Sequence, residues 1–149
     1  MNQKIEYFSK LNIEKKCDFA ITIGKLASDY LNDNNAKGLV DEAFEIARQW
    51  NGTLGDIGEK LYYYLDNEEN GFTLFQEMED DEVIINAWNC IIDAIAYVSK
   101  AAYEIKGEKY LPEPIEIVDD NTISHMIQSL FLCDETKKDI IEKTFEKYI

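Results

Sequence analysis

Between Val83 and Ile105 the polar residues keep to a narrow track. Asn86, Asn89, Asp93, Lys100 and Glu104 follow one another at spacings of three, four or seven. The same line passes through Tyr97, and only Ser99 falls off it. Residues at those separations share one face of an α-helix, so most of the remaining circumference of VIINAWNCIIDAIAYVSKAAYEI is apolar. Such a helix has to be wrapped by other helices or by lipid. Asp93, Lys100 and Glu104 would each be unfavourable in a bilayer. The pattern therefore predicts the central helix of a helical bundle, with Trp88 in its core.

The helical period continues on both sides. Ile5 and Phe8 predict a short helix over residues 2–10. Ile13, Cys17, Ala20, Gly24, Ala27 and Leu31 make one face of a helix over 13–31, and Phe19, Ile23, Leu26 and Tyr30 make a second. The small residues around Gly24 predict a close helix crossing there. After a turn at Asn32-Asp33-Asn34-Asn35, residues 37–50 carry Leu39, Ala43, Ile46 and Trp50, reinforced by Val40, Phe44 and Ala47, with Trp50 expected in the core. Asn51-Gly52 reads as a C-cap pair. Thr53 with Asp56 reads as the start of a helix bearing Leu54, Ile57, Leu61 and Leu65. Tyr62-Tyr63-Tyr64 cannot all face inward on that helix, so one or two are expected in the core and at least one outside.

Phe72 to Met78 predicts a further short helix, and Glu79-Asp80-Asp81-Glu82 leads into the central helix at the positive end of its dipole. Gly107 fits the stop. Pro112 and Pro114 exclude a helix interior, and Ile115 to Val118 reads as extended chain. Asp119-Asp120 and Asp134 offer N-caps for two last helices, one with Ile123, Ile127 and Leu130, the other with Ile141, Phe145 and Tyr148. The expectation is an all-α, single-domain bundle of about seven or eight helices around residues 83–105.

Composition changes this picture in one respect. At 46% hydrophobic and 12% aromatic, the 149 residues can build a core, and the chain is too apolar to be disordered. The net charge is −15 and unevenly spread, because Tyr62 to Ser99 holds nine acids and no Lys or Arg. Such a surface repels phosphate backbones and anionic membrane, so neither nucleic acid nor a membrane is an expected partner. Cations or basic proteins are, or the acids serve only as a solubilising surface. Cys17, Cys90 and Cys133 are odd in number and show no CxxC spacing. Buried reduced thiols in a cytoplasm are the expectation. The start, MNQKIEYFSK, lacks the pattern of a signal peptide.

Candidate chemistry is sparse. Asp66 to Glu77, DNEENGFTLFQE, nearly fits the calcium loop of an EF-hand, with Asp66, Glu68, Asn70, Gly71 and Glu77 in register. Position three is Glu rather than Asp or Asn, position eight is Thr73, and there is no second loop. The expected reading is an acidic interhelical turn with Gly71 at positive φ and no metal. His125 has Cys133 eight residues on and Thr122 three before, so neither a Cys–His pair nor the Glu-x-x-His of di-iron bundles is visible. A helix-surface or capping histidine is expected. Arg48 is expected to pair with Glu45 in solvent. No cofactor and no catalytic constellation is expected. A pocket joining His125 to a cysteine or carboxylate would revive an enzyme reading, and calcium titration would test the EF-hand one.

Ala87-Trp88, Asp93-Ala94-Ile95-Ala96-Tyr97-Val98, Tyr103 and Pro114-Ile115-Glu116 resemble the small helical immunity proteins of bacterial polymorphic toxin systems, family six in particular. The likeness covers the second half of the chain best. It implies a cytoplasmic inhibitor encoded beside a toxin whose catalytic domain it binds, with no catalytic residues to carry over. Many such effectors are nucleases, whose surfaces must be basic to hold phosphates, and an acidic inhibitor can reach such a surface quickly by electrostatic steering. The expected toxin-binding residues are therefore those of the base-free segment: Asp66, Glu68, Glu69, Glu77, Glu79, Asp80, Asp81 and Glu82. Tyr63 and Phe72 are the candidate aromatic anchors.

Overall fold

The computed structural model describes residues 2–50 and 55–148. The Asn51-Gly52 pair and the Thr53 and Leu54 positions lie outside the described residues. In chain order the helices are α1 Asn2–Ser9, α2 Ile13–Ser28, α3 Asn34–Gln49, α4 Ile57–Asp66, α5 Phe72–Glu77, α6 Glu82–Lys106, α7 Glu113–Glu116, α8 Asn121–Cys133 and α9 Lys138–Tyr148. A 3₁₀ turn at Glu135–Lys137 precedes the last. Among the described residues every regular element is a helix, so the protein is all-α.

The expected central helix is α6, which packs against α2, α4 and α8 along its length. It is long and apolar enough to cross a membrane by length and composition, but 61% of its most apolar window is buried inside the bundle. Its start is fixed by Asp81, whose carboxylate accepts from the N–H groups of Val83 and Ile84, and its end by Gly107 at φ 81°. Gly107 closes the helix because its N–H bonds back to the Glu104 carbonyl in a left-handed turn that disfavours a side chain.

Trp88 is 2% exposed. Its ring stacks on Phe75 at 5.5 Å between centroids and meets Phe72 at 5.3 Å. Trp50 is also buried. The crossing expected at Gly24 is there: a Cβ on Gly24 would sit 2.6 Å from the Phe44 ring and 2.8 Å from Ala94 Cβ. Gly58 plays the same part between α4 and α6, where a Cβ would lie 2.8 Å from the Tyr103 ring. Ser99, the residue off the stripe, is fully buried beside it and donates to the Gly58 carbonyl at 2.7 Å.

One stretch departs from expectation. Ile115 to Val118 is not extended, because α7 forms at Glu113–Glu116. Pro114 falls in the first turn of α7, where its missing N–H is not needed. The Pro112 carbonyl accepts from Ile115 and Glu116 to close the turn. Ile115 is thereby buried while Ile117 is left 81% exposed.

The polar stripe of α6 is a seam to which other elements attach. Asn89 Oδ1 accepts from Gln76 Nε2 of α5 at 2.6 Å. Asp93 Oδ2 accepts from His125 Nδ1 of α8. The Tyr97 hydroxyl donates to Asp120 at 2.6 Å, and Lys16 of α2 donates to the same carboxylate at 2.9 Å. Lys100 Nζ donates to the carbonyls of Glu116 and Val118. The lone off-pattern polarity thus sits in the core, and Asn89, Asp93, Tyr97 and Lys100 of the stripe tie the surrounding elements in register, while Asn86 and Glu104 bond within α6.

Candidate functional site

The α4–α5 loop, α5 and the α5–α6 loop carry the base-free acidic segment. Asp66, Glu68, Glu69, Glu77, Asp80, Asp81 and Glu82 are exposed, and Glu79 is half-exposed. Among the described residues no Lys, Arg or His lies within 4.0 Å of any of these carboxylates, whereas six such pairs form elsewhere. The fold has not brought bases from other helices to neutralise the segment. Three of the eight have local duties. Asp81 caps α6, Glu79 accepts from the Asp81 N–H at 3.2 Å, and Asp66 accepts from the Tyr62 hydroxyl at 3.3 Å.

The two candidate anchors separate. Tyr63 is 65% exposed on the outer face of α4. Phe72 is 0% exposed, enclosed by Tyr64 and Trp88, and cannot present a surface to a partner. It occupies the first position of α5, so the face of α5 that packs on α6 takes it inward. The apolar side chain the acidic segment does present is Met78, 73% exposed between Glu77 and Glu79, with Val83 partly exposed beyond. The sequence signal was there, since Met78 is an apolar residue enclosed by acids on both sides. Tyr62 and Tyr64 are half-buried and pack against the edge of the core, so neither is a full core residue.

Gly71 is not at positive φ; its backbone is extended at φ −66°, ψ 151°. Glycine is required there for a different reason, because a Cβ would lie 2.5 Å from the Asn67 carbonyl oxygen and 2.9 Å from that of Leu65. The loop closes on itself. Gly71 N–H donates to the Asn67 carbonyl, Glu69 N–H to Asn67 Oδ1, and the Thr73 hydroxyl to the Leu65 carbonyl. Among the described residues no three His, Cys, Asp or Glu side chains converge on a point that could hold a metal ion.

Among the described residues several grooves border the segment, and two of them touch α3. One, of about 200 Å³, runs between the α2–α3 turn and α5, past Ala36, Phe75, Met78 and Glu79. The other, of about 700 Å³, lies between α3 and α4 over Leu39, Ile46, Tyr63 and Tyr64 and reaches the acidic loop at Glu69.

His125 is exposed on α8 and bonded to Asp93. Burial raises the Asp93 carboxyl above its ordinary value, and the hydrogen bond and charge of His125 pull it back only in part. The neighbouring thiols are the reverse of activated nucleophiles. Burial pushes Cys133 up to about 11 and Cys90 well above its ordinary value, and both hydrogen-bond to backbone carbonyls. The pair acts as a strut between α6 and α8. Arg48 pairs with Asp18 of α2 at 3.5 Å rather than with Glu45, which accepts instead from Gln49. Asp18 is out of reach of any sequence-local pairing rule.

The class defined by this geometry is an acidic helical bundle with a base-free acidic stretch exposed on its surface. Residues 15–133, from the first turn of α2 to the end of α8, match the family described as immunity protein Imm6, and the chain belongs to that family. It is accordingly an immunity protein, whose partner is a cognate toxin protein. No match was found among curated proteins or solved structures. The family match takes in α2 and α3 as well as the second half, where the motif likeness is concentrated.

Proposed function

We propose that the protein neutralises a basic toxin domain stoichiometrically, in the cytoplasm, by covering it with the acidic segment Asp66–Glu82. The observation that carries this reading is the concentration of eight acids and no base in residues 66–82, none of them within 4.0 Å of a Lys, Arg or His nitrogen among the described residues. Unpaired like charges repel one another in the folded state. A basic partner removes that repulsion on binding. A toxin that holds phosphates, as a nuclease does, carries the complementary charge. Long-range attraction accelerates encounter, and Met78 and Tyr63 supply apolar contact once the surfaces meet.

The test is a triple reversal, Glu77→Lys, Asp80→Lys and Glu82→Lys. These three are exposed, and their side chains make no hydrogen bond that holds the fold. Asp81 and Glu79 are left alone because they organise the start of α6. Association with the toxin domain encoded beside this gene should slow by about tenfold or more at low salt, and its salt dependence should flatten. Cells expressing the variant should lose protection. Full protection by the triple variant would place the binding face elsewhere.

A further inference from the structure

The larger groove, between α3 and α4, has a feature the acidic segment alone does not explain. The apolar arc of α3 is wider than the core can use. Val40, Ala43, Phe44 and Ala47 are buried, whereas Leu39 and Ile46 remain half-exposed along the groove wall. Across from them α4 contributes Tyr64, half-buried against Phe72, and the exposed ring of Tyr63. The result is an apolar floor inside about 700 Å³ of open space. The rim is acidic. Glu59 and Glu69 line it, with Lys60 as the opposing charge. Glu42 on α3 also bears on it, since after burial its charge is the next influence raising the Tyr64 phenol.

We infer that this groove seats a cationic amphipathic segment of the toxin, an apolar side chain flanked by arginine or lysine. The inference rests on the proposed toxin-binding role and names the part of the partner that anchors it. The apolar side chain lies on Leu39, Ile46 and Tyr64. The flanking cation meets the Glu59, Glu69 and Glu42 carboxylates, and the open face of Tyr63 can stack under a guanidinium. A second copy of this chain is a poor occupant, because two molecules each carrying −15 repel. Nucleic acid is excluded from such a rim by the same sign of charge. The groove also runs into the acidic loop at Glu69, so a partner drawn to residues 66–82 arrives beside it.

The test is an amide NMR titration of the full chain with two capped tetrapeptides, acetyl-Arg-Leu-Arg-Leu-amide and its acidic counterpart acetyl-Glu-Leu-Glu-Leu-amide. The basic peptide should shift the amides of Leu39, Ile46, Tyr63 and Tyr64 saturably, and the acidic one should not. Tyr63→Lys should weaken that binding by at least about tenfold. Tyr110→Lys, at a 91% exposed site in the α6–α7 loop, should leave it unchanged. Equal binding of both peptides, or shifts that do not centre on the groove, would overturn the inference. The triple reversal at 77, 80 and 82 separates the two readings. If it abolishes protection while the basic peptide ignores the groove, only the groove inference falls. If the peptide binds as expected while the triple variant still protects, the acidic-segment reading falls and the groove stands as the anchoring site.

Discussion

Residues 66–82 and residues 83–106 are neighbours in the chain and opposites in how they treat polar groups. Along α6, Asn89, Asp93, Tyr97 and Lys100 each find a partner on another helix or loop, and even off-stripe Ser99 reaches the Gly58 carbonyl. Along the preceding segment most carboxylates end in solvent, with no base within 4.0 Å among the described residues. Partnered polar groups in a half-buried seam fix how helices register against one another. Exposed charges contribute little to stability even when paired, and unpaired ones of a single sign oppose folding. The contrast separates the groups that hold this bundle together from those left available to a partner.

The largest expected effect tests the first half of that contrast. Trp88→Ala should cost about 3–5 kcal/mol, the transfer and cavity terms for a core aromatic. Urea denaturation would report it as a lower midpoint at constant slope. An unchanged midpoint would mean that α6 is not the packing centre.

A smaller effect distinguishes two acids of the seam by sign. Burial alone would raise the Asp120 carboxyl. The hydrogen bonds from Lys16 and Tyr97, with the Lys16 charge, outweigh it and hold the group below its ordinary value. Its contribution is therefore fully present above the unfolded-state value and is lost as pH falls through the lower folded value. Asp93 is shifted the other way, raised by burial. Its contribution is present below the unfolded-state value and is lost as pH rises through the higher folded one. Asp120→Asn should cost about 1.5–3 kcal/mol at neutral pH and flatten the acid limb of stability against pH. Asp93→Asn should steepen that limb. Denaturation midpoints followed from acid to neutral pH decide it, and slopes that change in the opposite sense would refute the assignment.

The smallest effects lie in the acidic segment itself. Asp81→Ala should cost about 1 kcal/mol, because it removes the α6 cap. The triple reversal at Glu77, Asp80 and Glu82 should shift stability by no more than about 1 kcal/mol, the share of Glu82 in the first turn of α6, while changing association sharply. A large loss of stability in the triple variant would show that these acids belong to the fold after all, and the contrast between the two regions would collapse.

Much of the bundle was legible in the sequence because its determinants are local. The 3.6-residue period located α2, α3, α6 and α8, and the run of small residues around Gly24 marked the closest crossing. Asp81, Gly107 and Asp134 marked helix ends through bonds to residues two to four positions away. The base-free run from Tyr62 to Ser99 was likewise a property of the chain alone. Tertiary structure alone decided where that run ends up and what meets it. Phe72 turned inward because α5 packs on α6, which handed the exposed apolar position to Met78. Gly71 is needed for close backbone approach, not for a left-handed turn, and Arg48 chose Asp18 over its helical neighbour. The partners of the α6 seam lie 23 residues away for Tyr97 and 32 for Asp93, while Lys16 and Asp120 meet across 104. Periodicity assigns a side chain to a face of its own helix, but a hydrogen bond between helices depends on how both have been placed, and that placement is set by the packing of the whole core.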